Sequence, residues 1–195
     1  METTETLPVA RPGNPPGDLA IWLFICAELL AFGVLFVAYA FARARNVALF
    51  NASQLTLNRE SGMVNTLVLI TSSYFVVRAV AAIRDGQSAA CARWLAGAIG
   101  LGGVFVAVKL AEFHAKFAAG ITLSTNTFYM FYLSLTLFHF MHVLMGMIIL
   151  AFVAAKARRG GYCAASHAGV ETGASYWHMV DLVWLILFPL VYVIR

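Results

Sequence analysis

The last part of the chain carries ionisable residues in an otherwise apolar run. Residues 176–194 are almost all apolar, and about 20 such residues suffice for a helix to cross a bilayer. The first half of the stretch 171–192 nevertheless contains Glu171, His178 and Asp181. His178 and Asp181 are three residues apart and so share one face of a helix. Because a carboxylate inside a membrane costs at least about 2.5 kcal/mol, the pair lies either in the head-group zone or against polar groups of other helices.

Other apolar segments also contain ionisable residues. Glu28 is the only one in the first segment, and it lies about 14 Å along a helix that begins near residue 19. Lys109 and Glu112 are three residues apart and can pair on one helix face. His139 and His142 lie near the middle of a later segment. The chain thus offers carboxylates, histidines and one lysine at membrane depth.

Three chemistries could use this set. A metal or haem site needs histidines backed by carboxylates, but the Glu-x-x-His pairs of di-iron bundles are absent, so no metal is expected. A proton path needs such groups spaced for relay through water, and mid-membrane Glu28 fits that role as a proton-modulating residue. The favoured interpretation is a polar seam that fixes helix packing and leaves a role for Glu28 open. Besides Glu28, the seam comprises Glu112, His139, His142, Glu171, His178 and Asp181.

The composition excludes an ordinary soluble domain. Of the 195 residues, 62 % are hydrophobic and 11 % are charged, against about 25 % charged in a typical soluble domain. The net charge of +4 is scattered over short loops, which indicates contact with anionic lipid head groups and not with nucleic acid. The three cysteines are widely spaced, which argues against a disulfide framework and against a cysteine metal site.

Hydropathy predicts an all-α integral membrane protein with a bundle of five transmembrane helices, at about 19–41, 63–83, 94–117, 127–155 and 174–194. Asp18 is the expected N-cap of the first helix. Residues 1–17, with four of the five prolines, are predicted to be a disordered tail, and residues 18–195 one membrane domain. Glycines 97, 100 and 103 predict a close helix-packing face. Loop charges favour an inside N-terminus only weakly, with six basic residues against five.

These motifs resemble subunit III of the haem–copper cytochrome c oxidases over nearly the whole chain after the tail. The segment 138–146, FHFMHVLMG, resembles the family pattern F-H-x-x-H-V-x-x-G. The segment 176–184, YWHMVDLVW, resembles Y-W-H-x-V-D-x-V-W, with Glu171 ahead of it at the family spacing. Glu28 resembles the family's membrane glutamate, although Ala27 stands where a serine is usual. Asn65-Thr66 with Ser72-Ser73 resembles its L-N-T…S-S helix.

The resemblance implies an accessory subunit without a redox centre or cofactor of its own, packed beside a catalytic haem-bearing subunit. It implies bound phospholipids, support of assembly and proton uptake, an inside N-terminus and an outside C-terminus, and residence in the bacterial inner membrane. Subunit III usually has seven spans, and the first two are missing here. Short forms of this kind include the subunit III-like proteins associated with nitric oxide reductase, which is the favoured subfamily ahead of an oxygen-reducing oxidase.

Two other function classes stay open at this point. A small proton-coupled transporter could use Glu28 as its proton site, but such folds often contain internal repeats, and none is visible. A stand-alone metalloenzyme would contain stoichiometric metal. Metal analysis of the purified protein separates the metalloenzyme from the accessory subunit.

Overall fold

A computed structural model describes residues 18–194 and places six α-helices there. Five of them have the length and hydropathy of membrane spans, which confirms the predicted five-helix bundle. The helices are α1 (Leu19–Arg45), α2 (Val47–Gln54), α3 (Arg59–Arg84), α4 (Ser88–Ala118), α5 (Thr127–Arg158) and α6 (Ala168–Phe188), followed by a π-helix (Pro189–Val193). The predicted disordered tail, 1–17, lies outside the described residues.

Short polar side chains begin three of the membrane helices. The carboxylate of Asp18 accepts a hydrogen bond from the backbone of Ala20, which confirms the predicted N-cap of α1. Asn58 and Asn126 cap α3 and α5 in the same way, each accepting from the backbone amide three residues later. These caps satisfy amide groups that the first helical turn leaves without a partner.

Glycines end α3, α4 and α5 by one shared geometry. Gly86, Gly120 and Gly160 have φ angles of +74°, +74° and +71°, a region that only glycine enters without strain. The amide that follows each glycine donates back to a carbonyl of the last helical turn, as in Ile121 to Lys116 at 3.0 Å. The chain can therefore reverse direction within a few residues after each of these spans.

The membrane helices pack around α6, the most buried of the five spans. Helix α6 contacts α1, α3 and α5, while α4 packs against α3 and α5. Helix α1 is the least buried span and exposes most of its apolar side chains. The core between the helices is rich in aromatic rings, and the largest buried side chains are those of Trp177 and Trp184 on α6.

The short helix α2 was not predicted, because residues 42–62 have the composition of a polar loop and an eight-residue helix carries too little periodicity. Phe50 of α2 is buried against Tyr39 and Phe128, with ring centroids 5.3 Å and 5.5 Å away. Gln54 is also buried, and its amide donates to the carbonyl of Val191 at 3.0 Å. Arg43 donates to the carbonyl of Ile194. Helix α2 therefore ties the end of the chain to the end of α1.

Candidate functional site

Glu28 and His142 form a pair between α1 and α5 in the apolar part of the bundle. The Glu28 Oε2 atom lies 3.0 Å from His142 Nε2. The other ring nitrogen of His142, Nδ1, lies 2.7 Å from the carbonyl oxygen of Phe138, one turn earlier on α5. The rings of Phe32 and Phe138 flank the imidazole at 5.3 Å and 4.6 Å. The side chain of Glu28 is 20 % exposed and that of His142 only 7 %.

The hydrogen bonds of His142 determine where protons can reside. A carbonyl oxygen only accepts, so His142 Nδ1 carries a hydrogen. In a neutral imidazole Nε2 is then an acceptor, and Glu28 must be a carboxylic acid that donates to it. If His142 is instead doubly protonated, Glu28 is the carboxylate that accepts. In both states one proton is shared between the two side chains and the pair has no net charge, which suits a low-dielectric site.

A second polar group joins α6 to α3. The Nδ1 atom of His178 lies 2.6 Å from the hydroxyl of Ser73. The carboxyl group of Asp181, one turn further along α6, lies near the same hydroxyl. The Asp181 Oδ1 atom is buried and has no hydrogen-bond partner among residues 18–194. The Ser73 hydroxyl of α3 therefore contacts the histidine of the Y-W-H-x-V-D-x-V-W segment and lies beside its carboxyl group.

His139 occupies an aromatic pocket. Its side chain is fully buried, and within the described part of the chain neither ring nitrogen has a hydrogen-bond partner. The ring centroids of Trp184 and Phe105 lie 5.2 Å and 5.7 Å away, and that of Phe32 lies 6.5 Å away. His139 thus packs as an aromatic side chain and does not pair with His142.

Lys109 and Glu112 form a buried ion pair near the end of α4, at 3.0 Å, which agrees with their spacing. The Lys109 side chain is 0 % exposed, and its ammonium group also donates to the hydroxyl of Tyr192 at 2.8 Å. The second oxygen of Glu112 accepts from the hydroxyls of Tyr132 and Tyr192, at 2.6 Å and 2.7 Å. Trp184 adds a further ring 5.4 Å from the ammonium. The cluster therefore joins α4, α5 and the π-helix.

Glu171 lies at the opposite end of the bundle, at the start of α6. Its carboxylate accepts from Arg84 of α3 at 2.7 Å and lies 3.3 Å from His167 Nε2. The Arg84 side chain is 57 % exposed, so the pair belongs to the surface at the helix ends. This contact joins the start of α6 to the end of α3.

The seven residues singled out from the sequence are thus divided among several local contacts. The seam prediction expected its members to hydrogen-bond one another. Among the described residues, Glu28 and His142 are the two members from different helices that do so. The role of these residues as one seam stays a prediction. Tyr132 and Tyr192 were not predicted as partners of Glu112, because nothing in their spacing relates them to α4. Within residues 18–194, no three side chains of His, Cys, Asp or Glu gather as metal ligands would.

Two of the recognised motifs also touch each other. The hydroxyl of Tyr176 donates to the backbone carbonyl of His142 at 3.3 Å. A Cβ atom at Gly146 would lie 2.8 Å from the Trp177 ring and 3.1 Å from that of Tyr176. The motif on α5 is therefore shaped to receive the aromatic pair on α6.

Comparison with known proteins agrees with these motifs. The family model described as cytochrome c oxidase subunit III matches residues 17–194. A cytochrome c oxidase subunit 3 from Synechocystis sp. is 35 % identical over 173 residues, 88 % of this chain and 73 % of the relative. One from Thermostichus vulcanus is 32 % identical over 177 residues, 90 % of this chain and 86 % of the relative. A probable subunit 3 from Nocardia farcinica is 29 % identical, covering 95 % of this chain and 90 % of the relative. The chain therefore belongs to the cytochrome c oxidase subunit III family.

Proposed function

We propose that this protein is a non-redox accessory subunit of a haem–copper-type respiratory complex and packs beside its catalytic haem-bearing subunit. The match to the subunit III family over residues 17–194 carries the proposal. The local bonding of the histidines supports the non-redox part. His142 bonds Glu28 and a backbone carbonyl, while His178 bonds Ser73. These contacts occupy nitrogen atoms that a metal or haem would otherwise use.

The host complex reduces either oxygen or nitric oxide, and the relatives favour oxygen. The three relatives named above are subunits 3 of cytochrome c oxidases. This chain covers 86 % and 90 % of two of them, so relatives little longer than this protein bear the oxidase name. Its short length therefore no longer favours nitric oxide reductase. We take cytochrome c oxidase as the first host and keep nitric oxide reductase as the alternative.

The proposed location is the bacterial inner membrane, with the N-terminus inside and the C-terminus outside. The end of the bundle that contains Asp18 also holds the densest basic group, formed by Lys156, Arg158 and Arg159. Basic residues concentrate on the cytoplasmic side of bacterial membrane proteins. This end would therefore face the cytoplasm.

Phospholipid is the proposed ligand at the exposed side of α6. Two cavities of about 260 Å³ and 380 Å³ flank His178, one toward α3 and one toward α1. Both cavities expose mainly apolar surface, and the charged pair of Arg84 and Glu171 also lines the first. An apolar slot with a charged pair in its lining matches the shape and polarity of a phospholipid.

Purification of a tagged chain in mild detergent tests the proposed function. We expect a haem-bearing membrane subunit to co-purify and the isolated complex to consume oxygen; consumption of nitric oxide instead would identify the alternative host. The chain alone, purified without its complex, should contain no stoichiometric iron, copper or zinc. Recovery of this chain without a partner, together with normal terminal reductase activity in a deletion strain, would contradict the proposal. Proton transport by the chain alone in liposomes would support the transporter instead.

The Glu28–His142 pair is the proposed modulator of proton uptake, and the substitution Glu28→Gln tests it. The glutamine amide can still donate to His142 Nε2, so the contact between α1 and α5 is retained while the shared proton is removed. We expect normal assembly, an unchanged initial rate of electron transfer and at most a partial loss of activity over many turnovers. Oxygen consumption followed to inactivation measures both quantities. Glu60→Gln, which removes an exposed carboxylate from the start of α3, is the control.

The two other outcomes of that substitution have distinct meanings. Complete loss of turnover in a fully assembled complex would place Glu28 on an obligatory proton path. Loss of assembly would favour a structural role, because the amide would then have failed to replace the carboxyl group in the contact with His142.

A further inference from the structure

An arginine lies on the outward face of α3, inside the membrane span. Arg78 is exposed and lies six residues before the end of α3 at Arg84, about 9 Å along the helix axis. Helix α3 has 26 residues and is about 39 Å long, whereas the bilayer core is about 30 Å thick. When the helix is centred in the bilayer, the Cα atom of Arg78 lies about 4–5 Å inside the hydrocarbon boundary.

Aromatic side chains hold the guanidinium group of Arg78 in place. Its Nη1 atom donates to the hydroxyl of Tyr74, one turn earlier on α3, at 3.0 Å. The guanidinium carbon lies 5.0 Å from the centroid of the Trp94 ring on α4. The Phe75 ring packs against Trp94 edge to face at 5.2 Å, and a Cβ atom at Gly97 would lie 2.7 Å from the Phe75 ring. The arginine is therefore fixed on a platform built by two helices.

The charge of Arg78 is not neutralised within the described part of the chain. No carboxylate of residues 18–194 forms an ion pair with it. The Trp94 ring stabilises a cation but does not neutralise it. Charged side chains inside membrane spans normally face the bundle interior or pair with one another, as Lys109 does with Glu112 at 3.0 Å. Because Arg78 faces outward, we expect its anion to belong to another molecule.

Apolar and aromatic side chains continue the same face of α3 away from Arg78. Leu67, Ile70, Tyr74 and Val77 are all exposed, and their spacing of three and four residues places them on one side of the helix. Together with Arg78 they form the surface that we call the Arg78 face. A second helix lying along it would cover the apolar side chains and meet the cation at one end. Tyrosine and arginine are among the residues that most often dominate the binding energy of protein interfaces.

We propose that the Arg78 face binds a transmembrane helix of a neighbouring subunit and that a carboxylate side chain of that helix pairs with Arg78. Among the described residues, Nη1 of Arg78 donates to Tyr74, which leaves Nη2 and Nε for the two carboxylate oxygens. A lipid phosphate lies at the membrane surface, and it would account neither for the depth of Arg78 nor for the apolar side chains that continue toward the membrane centre. This inference rests on the proposed accessory role, because it needs a membrane partner.

Retention of the tagged chain in its purified complex tests the pairing. We expect Arg78→Gln to lower the amount of haem-bearing complex that co-purifies about tenfold, since the partner carboxylate then stays buried without a cation. Arg78→Lys keeps the charge but not the paired hydrogen bonds, so its loss should be intermediate. Arg59→Gln removes an exposed arginine from the other end of the same helix and should leave retention unchanged. Thermal unfolding of each variant chain alone verifies the fold.

Photo-cross-linking identifies what covers the face. Benzoylphenylalanine at position 70 should cross-link a membrane span that contains aspartate or glutamate, and the same probe at position 30, exposed on α1, should not reach that span. Replacing the identified carboxylate with its amide together with Arg78→Gln should cost no more than either change alone.

Three results would overturn the proposed pairing at the Arg78 face. Equal retention in Arg78→Gln would show that the charge pairs with nothing in the complex, and equal loss in Arg59→Gln would reduce the effect to general surface charge. Cross-links from position 70 to lipid alone would assign the face to the bilayer. A wild-type chain that co-purifies with no subunit would overturn the proposed function together with this face. A wild-type complex that Arg78→Gln leaves intact would overturn the face alone.

Discussion

Replacing Lys109 with methionine is expected to lower the free energy of unfolding by about 3–5 kcal/mol, the usual cost of removing one partner from a buried ion pair. Lys109 has no exposed side-chain surface and lies 3.0 Å from Glu112. The substitution leaves the Glu112 carboxylate with the hydroxyls of Tyr132 and Tyr192 but without a positive charge. The cluster joins α4, α5 and the π-helix, so we expect that end of the bundle to loosen first.

The double variant Lys109→Met, Glu112→Met provides the stronger test. Replacing both members of a buried pair with apolar side chains of similar volume is often neutral or even stabilising, because no uncompensated charge is left inside. The double variant should therefore be more stable than Lys109→Met alone. Unfolding in mild detergent, titrated with a denaturing detergent, measures the difference. Lys116→Met is the control, since Lys116 bonds the backbone carbonyl of Thr56 nearer the surface.

Two results would contradict this account of the Lys109 cluster. A loss of stability in the double variant equal to the sum of the two single losses would mean that the side chains contribute separately and not as a pair. A loss in Lys116→Met as large as that in Lys109→Met would mean that any cation at this end of α4 matters equally.

The five spans were predictable because the bilayer imposes a length and a hydropathy that a sequence displays directly. The helix ends were less accurate, since helices continue past the hydrocarbon layer until a cap or a glycine ends them. Helix α4 begins at Ser88, six residues before its predicted start, and α6 begins at Ala168 and not near 174. Neither end is marked by a change in hydropathy.

Contacts within one helix were predictable from spacing, whereas contacts between helices were not. The pairing of Lys109 with Glu112 follows from their three-residue separation. The pairing of Glu28 with His142 joins residues 114 positions apart, and only their similar depth and the family resemblance related them. His139 shows the limit of such reasoning, because the histidine three residues from His142 packs among aromatic rings.

Contacts between helices were also not predictable from the spacing of the glycines in α4. Their recurrence at 97, 100 and 103 predicted one packing face, but only the first of them meets a neighbour inside the described chain. A Cβ atom at Gly97 would lie 2.7 Å from the Phe75 ring, whereas at Gly100 and Gly103 it would meet nothing within 4 Å. Small-residue spacing therefore shows where another group could approach, but not whether this chain supplies that group.

Substitution of Gly146 is expected to lower the stability of the bundle strongly. Gly146→Val should reduce the free energy of unfolding by about 1–3 kcal/mol or more, the usual cost of overpacking a core. Its Cβ atom would lie 2.8 Å from the Trp177 ring and 3.1 Å from that of Tyr176, and both rings are fully buried. Trp177 cannot move away easily, because it also packs against α4, where a Cβ atom at Gly102 would already be 3.0 Å from the indole.

Gly100→Val is the matched control for this prediction. It places the same side chain on α4 in open space, where a small gain in helix propensity is expected instead of a clash. Thermal unfolding in detergent should therefore separate the two variants in opposite directions. Because Tyr176 also donates to the carbonyl of His142, displacement of the α6 rings by the new valine side chain in Gly146→Val should weaken the Glu28–His142 contact as well. Equal stability of the two variants would mean that α5 and α6 can separate freely at this point, and the aromatic pair would then not fix the position of His142.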